Sequence, residues 1–230
     1  MGRSQLLKDL VSGKESIENV LLRLKVILTD LDNQQIMVWV NGELQGYPNV
    51  DDLPDYRILH GTAYGTFLVN YRYQYTNTPV PIDSLLSEEL VDEILTVPCT
   101  DNIKTIENQY TEVKDNYTYG RIVPTSFCHS ISKGELQIAS MTVKIAPNLL
   151  SEIVATVKSK LVEIVMELEK EYENLDDLDI KTQVESDDSK TQQVVYNIEK
   201  IIYGDSVSVE MGDKNKISKS KLGGLLGRGR

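Results

Sequence analysis

Residues 39–57, WVNGELQGYPNVDDLPDYR, mark the point where a helical pattern gives way to a strand pattern. Before this point apolar residues recur at helical spacing, and Gly46 stands where a left-handed C-cap is expected, with Pro48 barring continuation. After it, Pro54 to Arg57 predicts an extended entry into a stretch typical of strands. We therefore expect helices first and an antiparallel sheet after them.

Apolar residues at helical spacing predict further helices on both sides of this stretch. One is expected at residues 5–11 and another at 14–31, and a third begins near Asp32 or Asn33. Helices are also expected at 82–95 and 101–113. Pro147 suits the first position of a helix, and the apolar stripe after it predicts one long helix to about residue 173.

Residues 58–75 are rich in Tyr, Val, Thr and Phe and contain Gly61 and Gly65, which indicates one or two antiparallel hairpins. Tyr71, Tyr73 and Tyr75 alternate with polar residues and should share one face of a strand. Residues 137–145 fit a strand or a helix, and we favour a strand. The fold class is thus α+β: an N-terminal helical subdomain, a central antiparallel sheet with helices, a long C-terminal helix and a small C-terminal β segment.

Four parts are expected along the chain: an α+β domain at 1–174, an acidic linker at 175–191, a small β segment at 192–218 and a disordered basic tail at 219–230. A β segment this small is at best marginal on its own, so it needs the body or another copy of itself. We expect its apolar residues to drive oligomerisation: Val194, Tyr196, Ile198, Ile202, Val207 and Val209.

Charge is distributed unevenly in a chain of net charge −11. All 35 acidic residues lie at or before Asp213, whereas the last 17 residues carry six basic groups and no acid. The acidic body disfavours nucleic acid as a partner, except through the basic tail. No apolar run approaches the roughly 18 residues that suggest a membrane span, so we expect a cytoplasmic protein without membrane contact.

The motifs of the common catalytic and cofactor sites are absent from the sequence: there is no Walker-type loop, GxSxG, HExxH or GxGxxG. Cys128 and His129 are adjacent, but neighbours on a strand point to opposite faces, and His60 would have to supply the base from elsewhere. Paired carboxylates mostly suit solvated helix faces. We expect no catalytic residue, no metal and no cofactor.

The cluster around residues 39–57 allows two interpretations. In the first, Arg57 pairs with Glu43 or Asp55 in a polar pocket that holds a small anionic ligand, with Tyr47 and Tyr56 beside it. In the second, which we favour, the cluster is structural: aromatic residues fasten the helix to the hairpin, and Glu43 satisfies the backbone or Arg57. The structural motif comprises Trp39, Leu44, Gly46 and Pro54.

The string Trp39-x-x-x-Glu43-Leu44-x-Gly46-Tyr47, followed by Leu53-Pro54-Asp55-Tyr56-Arg57, resembles the N-terminal signature of the AbiTii family. The specific resemblance covers roughly residues 4–60, and the remainder is similar in layout. It implies an anti-phage, abortive-infection protein and implies no particular reaction.

Three functional hypotheses follow. The first is a non-enzymatic defence protein, a homo-oligomer that also binds a phage or host protein. The second is an effector enzyme that acts on nucleic acid or nucleotide through a pocket formed by Glu43, Asp55 and Arg57. The third is a toxin- or antitoxin-like binding module.

Overall fold

The computed structural model describes residues 2–111 and 119–204 of the chain. Val207, Val209 and the whole of the expected basic tail lie outside these residues. Of the helices that the structure describes, none combines the length and the apolarity that a membrane crossing requires.

Three helices open the chain, as the sequence predicts. Ser4, Ser16 and Asn33 each cap the helix that follows by accepting a hydrogen bond from its first-turn backbone. The three helices are α1 (Gln5–Ser12), α2 (Ile17–Thr29) and α3 (Gln34–Gln45).

Two antiparallel sheets form the β part of the described chain. Strand β1 (Ile58–His60) pairs with β4 (Thr96–Pro98) in a small sheet. The larger sheet has the strand order β3-β2-β6-β5. Its strands are β2 (Thr62–Val69), β3 (Tyr73–Pro79), β5 (Gly120–Val123) and β6 (Leu136–Lys144).

Short helices connect the strands, and one long helix spans the molecule. The connecting helices are α4 (Glu88–Leu95), α5 (Ile103–Thr111) and α6 (Thr125–Ile131). The long helix α7 (Pro147–Glu171) has 25 residues, which corresponds to about 37 Å. Its apolar face, which includes Ile153, Leu161 and Leu168, is buried in one continuous core with side chains of α1, α2, α3 and the larger sheet. The α+β class, the antiparallel sheet and the long helix are thus confirmed.

The region from 175 to 203 differs from the sequence-based expectation. The predicted linker contains α8 (Lys181–Ser186), and Leu175 and Ile180 are buried in the core. The strand prediction is wrong for residues 192–203, because these residues belong to the helix α9 (Asp188–Tyr203). Val194, Ile198 and Ile202 face the core while Tyr196 points outward. A helix permits this arrangement, whereas in a strand Tyr196 would share the face of Val194 and Ile198.

Helix α9 packs against α7 and α3 in the same chain. Asn33 at the start of α3 donates a hydrogen bond to Glu199 (2.9 Å), and Tyr203 donates one to the Gln35 carbonyl (3.0 Å). From α7, the Lys160 ammonium donates to the Ile201 carbonyl (2.5 Å) in the last turn of α9. These contacts hold helix α9 against the main body. The sequence pattern predicts the acidic linker and the separate small β segment for these residues.

Candidate functional site

The signature residues of 39–57 converge on a single buried ion pair. Helix α3 carries Glu43, and a 3-10 turn (Asp55–Arg57) delivers Arg57 from the other side. Both side chains have no solvent exposure. Arg57 Nε donates to Glu43 Oε1 at 3.0 Å, and the same guanidinium forms an ion pair with Glu43 Oε2. The pair is bidentate, the geometry in which arginine and carboxylate match best.

Two tyrosines complete the contacts of the carboxylate, and a tryptophan bonds to one of them. Tyr47 and Tyr56 both donate their hydroxyl hydrogens to Glu43 Oε1, at 2.9 and 2.7 Å. Trp39 Nε1 donates to the Tyr56 hydroxyl at 2.8 Å. Trp39 and Glu43 lie four residues apart on α3, so they share one face of that helix. Glu43 Oε1 accordingly accepts three hydrogen bonds from three different side chains.

The remaining donors of Arg57 reach a third segment of the chain. One terminal nitrogen donates to the Cys99 carbonyl (3.2 Å) and to the Asp101 carbonyl (2.5 Å). In return, the Cys99 amide donates to the Arg57 carbonyl at 2.8 Å, and the Tyr47 amide donates to the Thr100 carbonyl at 2.8 Å. The cluster thus fastens α3 to the turn 55–57 and to residues 99–101.

The protonation states of the cluster suit these hydrogen bonds. Burial and the neighbouring Glu43 carboxylate raise the pKa of Tyr47 and of Tyr56 far above the ordinary value, so both keep the protons that they donate. Burial alone would lower the pKa of Arg57, but Glu43 more than offsets this and the net pKa is raised, so the guanidinium stays charged. The pair is therefore a charged salt bridge that its surroundings satisfy.

The structure does not bring Asp55 into the cluster. Its side chain is exposed, while Glu43 and Arg57 are buried. Of the two partners expected for Arg57, Glu43 and Asp55, the structure shows Glu43. Since both Glu43 oxygens and four of the five Arg57 N–H groups already bond to protein atoms, the arrangement can hold three segments together but offers a ligand almost no unoccupied donor or acceptor.

Lys160 is a neighbour of the cluster that sequence reasoning missed. Its ammonium lies 5.5 Å from the centroid of the Tyr56 ring while it bonds to the end of α9. Burial lowers the pKa of Lys160. No sequence signal distinguishes this lysine from the others on α7, because its partners come from segments far away in the chain.

Gly42 is explained by the space that Tyr47 occupies. A Cβ atom at position 42 would lie 2.2 Å from Tyr47 Cε1. We expect Gly42→Ala to lower the free energy of unfolding by about 1–3 kcal/mol through this overpacking, although alanine favours a helix over glycine by about 1 kcal/mol. Urea denaturation measures the change, with Gln45→Ala, at an exposed site of the same helix, as the control. A stabilised Gly42→Ala protein would contradict the packing of Tyr47 on α3.

The cysteines and histidines are not arranged for catalysis or metal binding. Cys128 lies on α6 and not on a strand, and it is buried, whereas His129 is exposed. Burial raises the pKa of the Cys128 thiol, which disfavours the thiolate that a nucleophile requires. His60 lies near Asp92 (3.6 Å) on the surface. Within the described ranges, no three His, Cys, Asp or Glu side chains form a group that could hold a metal ion.

Of the six residues expected to mediate oligomerisation, the four that the structure describes fall into two groups. Val194, Ile198 and Ile202 are at most 1% exposed and belong to the core of their own chain. Tyr196 points outward and is 37% exposed. The pairing of strands at residues 194–202 is therefore excluded as a mode of assembly, because these residues form a helix whose backbone groups bond within it. Assembly itself stays a prediction.

An open pocket of about 400 Å³ lies between the end of α7 and the start of α9. It contains none of the signature residues. Three carboxylates, a lysine and three neutral side chains line it: Glu167, Glu171, Asp187, Ser189, Lys190, Gln193 and Val194. The Lys190 ammonium is already engaged there, since it donates to the Glu171 carbonyl and lies over the Tyr172 ring.

The fold and the cluster define a class of protein. It is an α+β protein in which the residues of the sequence signature form a buried ion-pair cluster between the N-terminal helices and the β part. The family model of AbiTii matches residues 4–194, and the chain belongs to the AbiTii family. This match extends well beyond the signature and includes α7, α8 and the start of α9. Family membership associates the chain with abortive infection, a form of anti-phage defence. No curated protein and no solved structure matches the chain.

Proposed function

We propose that this AbiTii protein defends bacterial cells against phage as a non-enzymatic cytoplasmic protein, through self-association and contact with a phage or host protein. The observation that carries the proposal is that the charged and polar groups of the signature cluster bond to one another inside the protein. The signature residues therefore serve to hold the fold together. A protein selected for shape acts most simply through its surface.

The surface offers apolar side chains suited to such contact. Ile122 on β5 is 80% exposed, and Tyr71 and Tyr73 at the β2–β3 hairpin are 72% and 55% exposed. Aromatic residues are enriched where proteins bind one another, because they bury a large area at low entropic cost. The basic residues beyond Asp213 are the part of the sequence that suits an acidic partner surface or phosphate.

Phage protection by the variant Asp55→Asn separates this proposal from the enzymatic alternative. Asp55 is the exposed member of the expected triad, so it is available to a substrate, and its replacement should leave the fold intact. We expect protection equal to that of the wild type, measured by plaque counts, with Asp179→Asn as a control at another site. Loss of protection with Asp55→Asn alone, in a folded protein, would favour the enzyme.

Light scattering after size exclusion tests self-association directly. We expect a mass above that of the monomer for the full chain at high protein concentration. A chain that ends at Gly204 keeps every described helix and strand, so it tests whether residues 205–230 contribute. A full chain that stays monomeric throughout would contradict the assembly part of the proposal.

A further inference from the structure

Strand β3 is the outer strand of the larger sheet. Its inner edge pairs with β2, and within residues 2–111 and 119–204 no strand pairs with its outer edge. Six of its seven residues are exposed, and the seventh, Thr78, is half-buried. The backbone N–H and C=O groups that point outward from an edge strand can pair with another strand.

Most edge strands carry features that prevent such pairing, and β3 has few of them. Charged residues, especially lysine, and proline usually block an edge. Residues 73–82 contain no charged residue. Protection is confined to the end of the strand, where a bulge lies between Tyr75 and Thr78, Asn77 has a positive φ of 52° and Pro79 follows. The stretch from Tyr73 to Thr76 therefore stays open to pairing.

The distribution of charge favours contact between copies through this sheet. The chain has a net charge of −11, so most pairs of surfaces on two copies repel each other. Residues 58–82, which include β1, β2 and β3, contain no acidic residue at all. Two copies can approach through β3 with the least repulsion, and a neutral strand can lie opposite an identical strand without opposing like charges.

We propose that β3 of one copy pairs antiparallel with β3 of a second copy across a two-fold axis, which joins two four-stranded sheets into one of eight strands. This inference rests on the self-association in the proposed function and names its surface. The partner must be an extended strand, since only a strand presents N–H and C=O groups in the alternation that an edge requires. The helices of a second copy use these groups internally.

Two tyrosines add side-chain area to the pairing. Tyr73 and Tyr75 lie opposite Val69 and Phe67 on the same face, and the Tyr75 ring stacks on Phe67 at 5.2 Å. They are 55% and 45% exposed, so a second copy beside them would cover apolar surface. Strand pairing alone buries much less than the roughly 800 Å² per partner of a standard interface. The dimer should therefore be weak and dependent on protein concentration.

The double variant Gln74→Lys, Thr76→Lys tests the proposal in the full chain. Both side chains are exposed, and Gln74 Nε2 donates a long hydrogen bond (3.4 Å) to Thr76 Oγ1. Two lysines at this edge would face their own copies across the axis. They also reduce the negative net charge, so weaker association cannot come from general repulsion. We expect dimerisation to require about tenfold more protein in analytical ultracentrifugation.

The matched control is Gln45→Lys, Ala155→Lys, which makes the same charge change at exposed positions of α3 and α7. It should associate at least as well as the wild type. Hydrogen exchange gives a second measurement that requires no variant: among residues 73–76, the amides that point away from β2 should gain protection as protein concentration rises.

The outcomes separate this inference from the broader proposal. The β3 pairing would be overturned if the Gln74→Lys, Thr76→Lys variant associated as well as the wild type. It would also be overturned if the exchange of the outward-pointing amides at 73–76 did not depend on protein concentration. Either result would leave self-association through another surface. A wild-type protein that stays monomeric up to about 1 mM, the Kd of a contact worth only about 4 kcal/mol, would overturn both. Circular dichroism of each variant verifies that it is folded.

Discussion

The variant Arg57→Ala is expected to lose about 3–5 kcal/mol of unfolding free energy, because it leaves the Glu43 carboxylate charged, buried and without its counterion. This is a large fraction of the stability of an ordinary domain. Denaturation in urea, followed by circular dichroism, measures the loss. Arg72→Ala is the matched control: Arg72 is an exposed arginine in the β2–β3 turn, and its replacement should change stability by no more than about 0.5 kcal/mol.

A second variant distinguishes the loss of an ion pair from the loss of a ligand site. Replacing both partners, with Glu43→Gln and Arg57→Met, removes both charges and should cost less than Arg57→Ala alone, since no unpaired charge remains. If Arg57→Ala instead folds with wild-type stability and merely abolishes phage protection, Arg57 serves a ligand and the structural interpretation of the cluster is wrong.

The variant Ile198→Ala is expected to lower the free energy of unfolding by about 2–5 kcal/mol, the usual cost of a cavity in a packed core. Ile198 has no solvent exposure and lies among core residues of its own chain. The loss should be the same at every protein concentration, because it concerns packing within one chain. Urea denaturation at two concentrations about tenfold apart measures it, a range over which a subunit contact would shift apparent stability.

Tyr196→Ala is the control for this experiment, since Tyr196 lies two residues away on the outward face of the same helix. We expect it to cost far less than Ile198→Ala. Comparable losses for both residues, or a loss that grows on dilution, would indicate that this segment forms a subunit interface and does not belong to the core of the chain.

The segment at 192–203 shows why sequence patterns predicted one part of the fold and missed another. Val194, Tyr196 and Ile198 alternate as in a strand, whereas Val194, Ile198 and Ile202 recur as in a helix. A short segment fits both periods, and the strand was predicted because Tyr196 falls between Val194 and Ile198 in the alternating pattern. The contacts with α7 and α3 decide for a helix, and they join residues about 30 to 170 positions apart.

The prediction of an acidic linker at 175–191 was wrong for a related reason. High local charge is typical of linkers, but it conceals Leu175 and Ile180, which are buried in the core. By contrast, the long helix and the strand-rich stretch 58–75 have strong and regular patterns, and the structure agrees with them.

The signature cluster could be located from the sequence but its geometry could not. Residue spacing grouped Trp39, Glu43 and Arg57 correctly, because two of them share a helix face. It could not show that the turn at 55–57 is a 3-10 turn, which leaves Asp55 at the surface while Arg57 points inward. Nor could it show the carbonyls of Cys99 and Asp101, whose positions depend on the pairing of β1 with β4.

The three hydrogen bonds to one Glu43 oxygen have a consequence for cooperativity. Helix α3 supplies the accepting carboxylate, and the donors come from the chain just after α3 and from the turn that enters the first strand. Arg57 also donates to the segment before α5. None of these segments can detach without exposing a charge that the others hold in place. The helical half and the sheet are thereby coupled, and heat should melt them in a single transition.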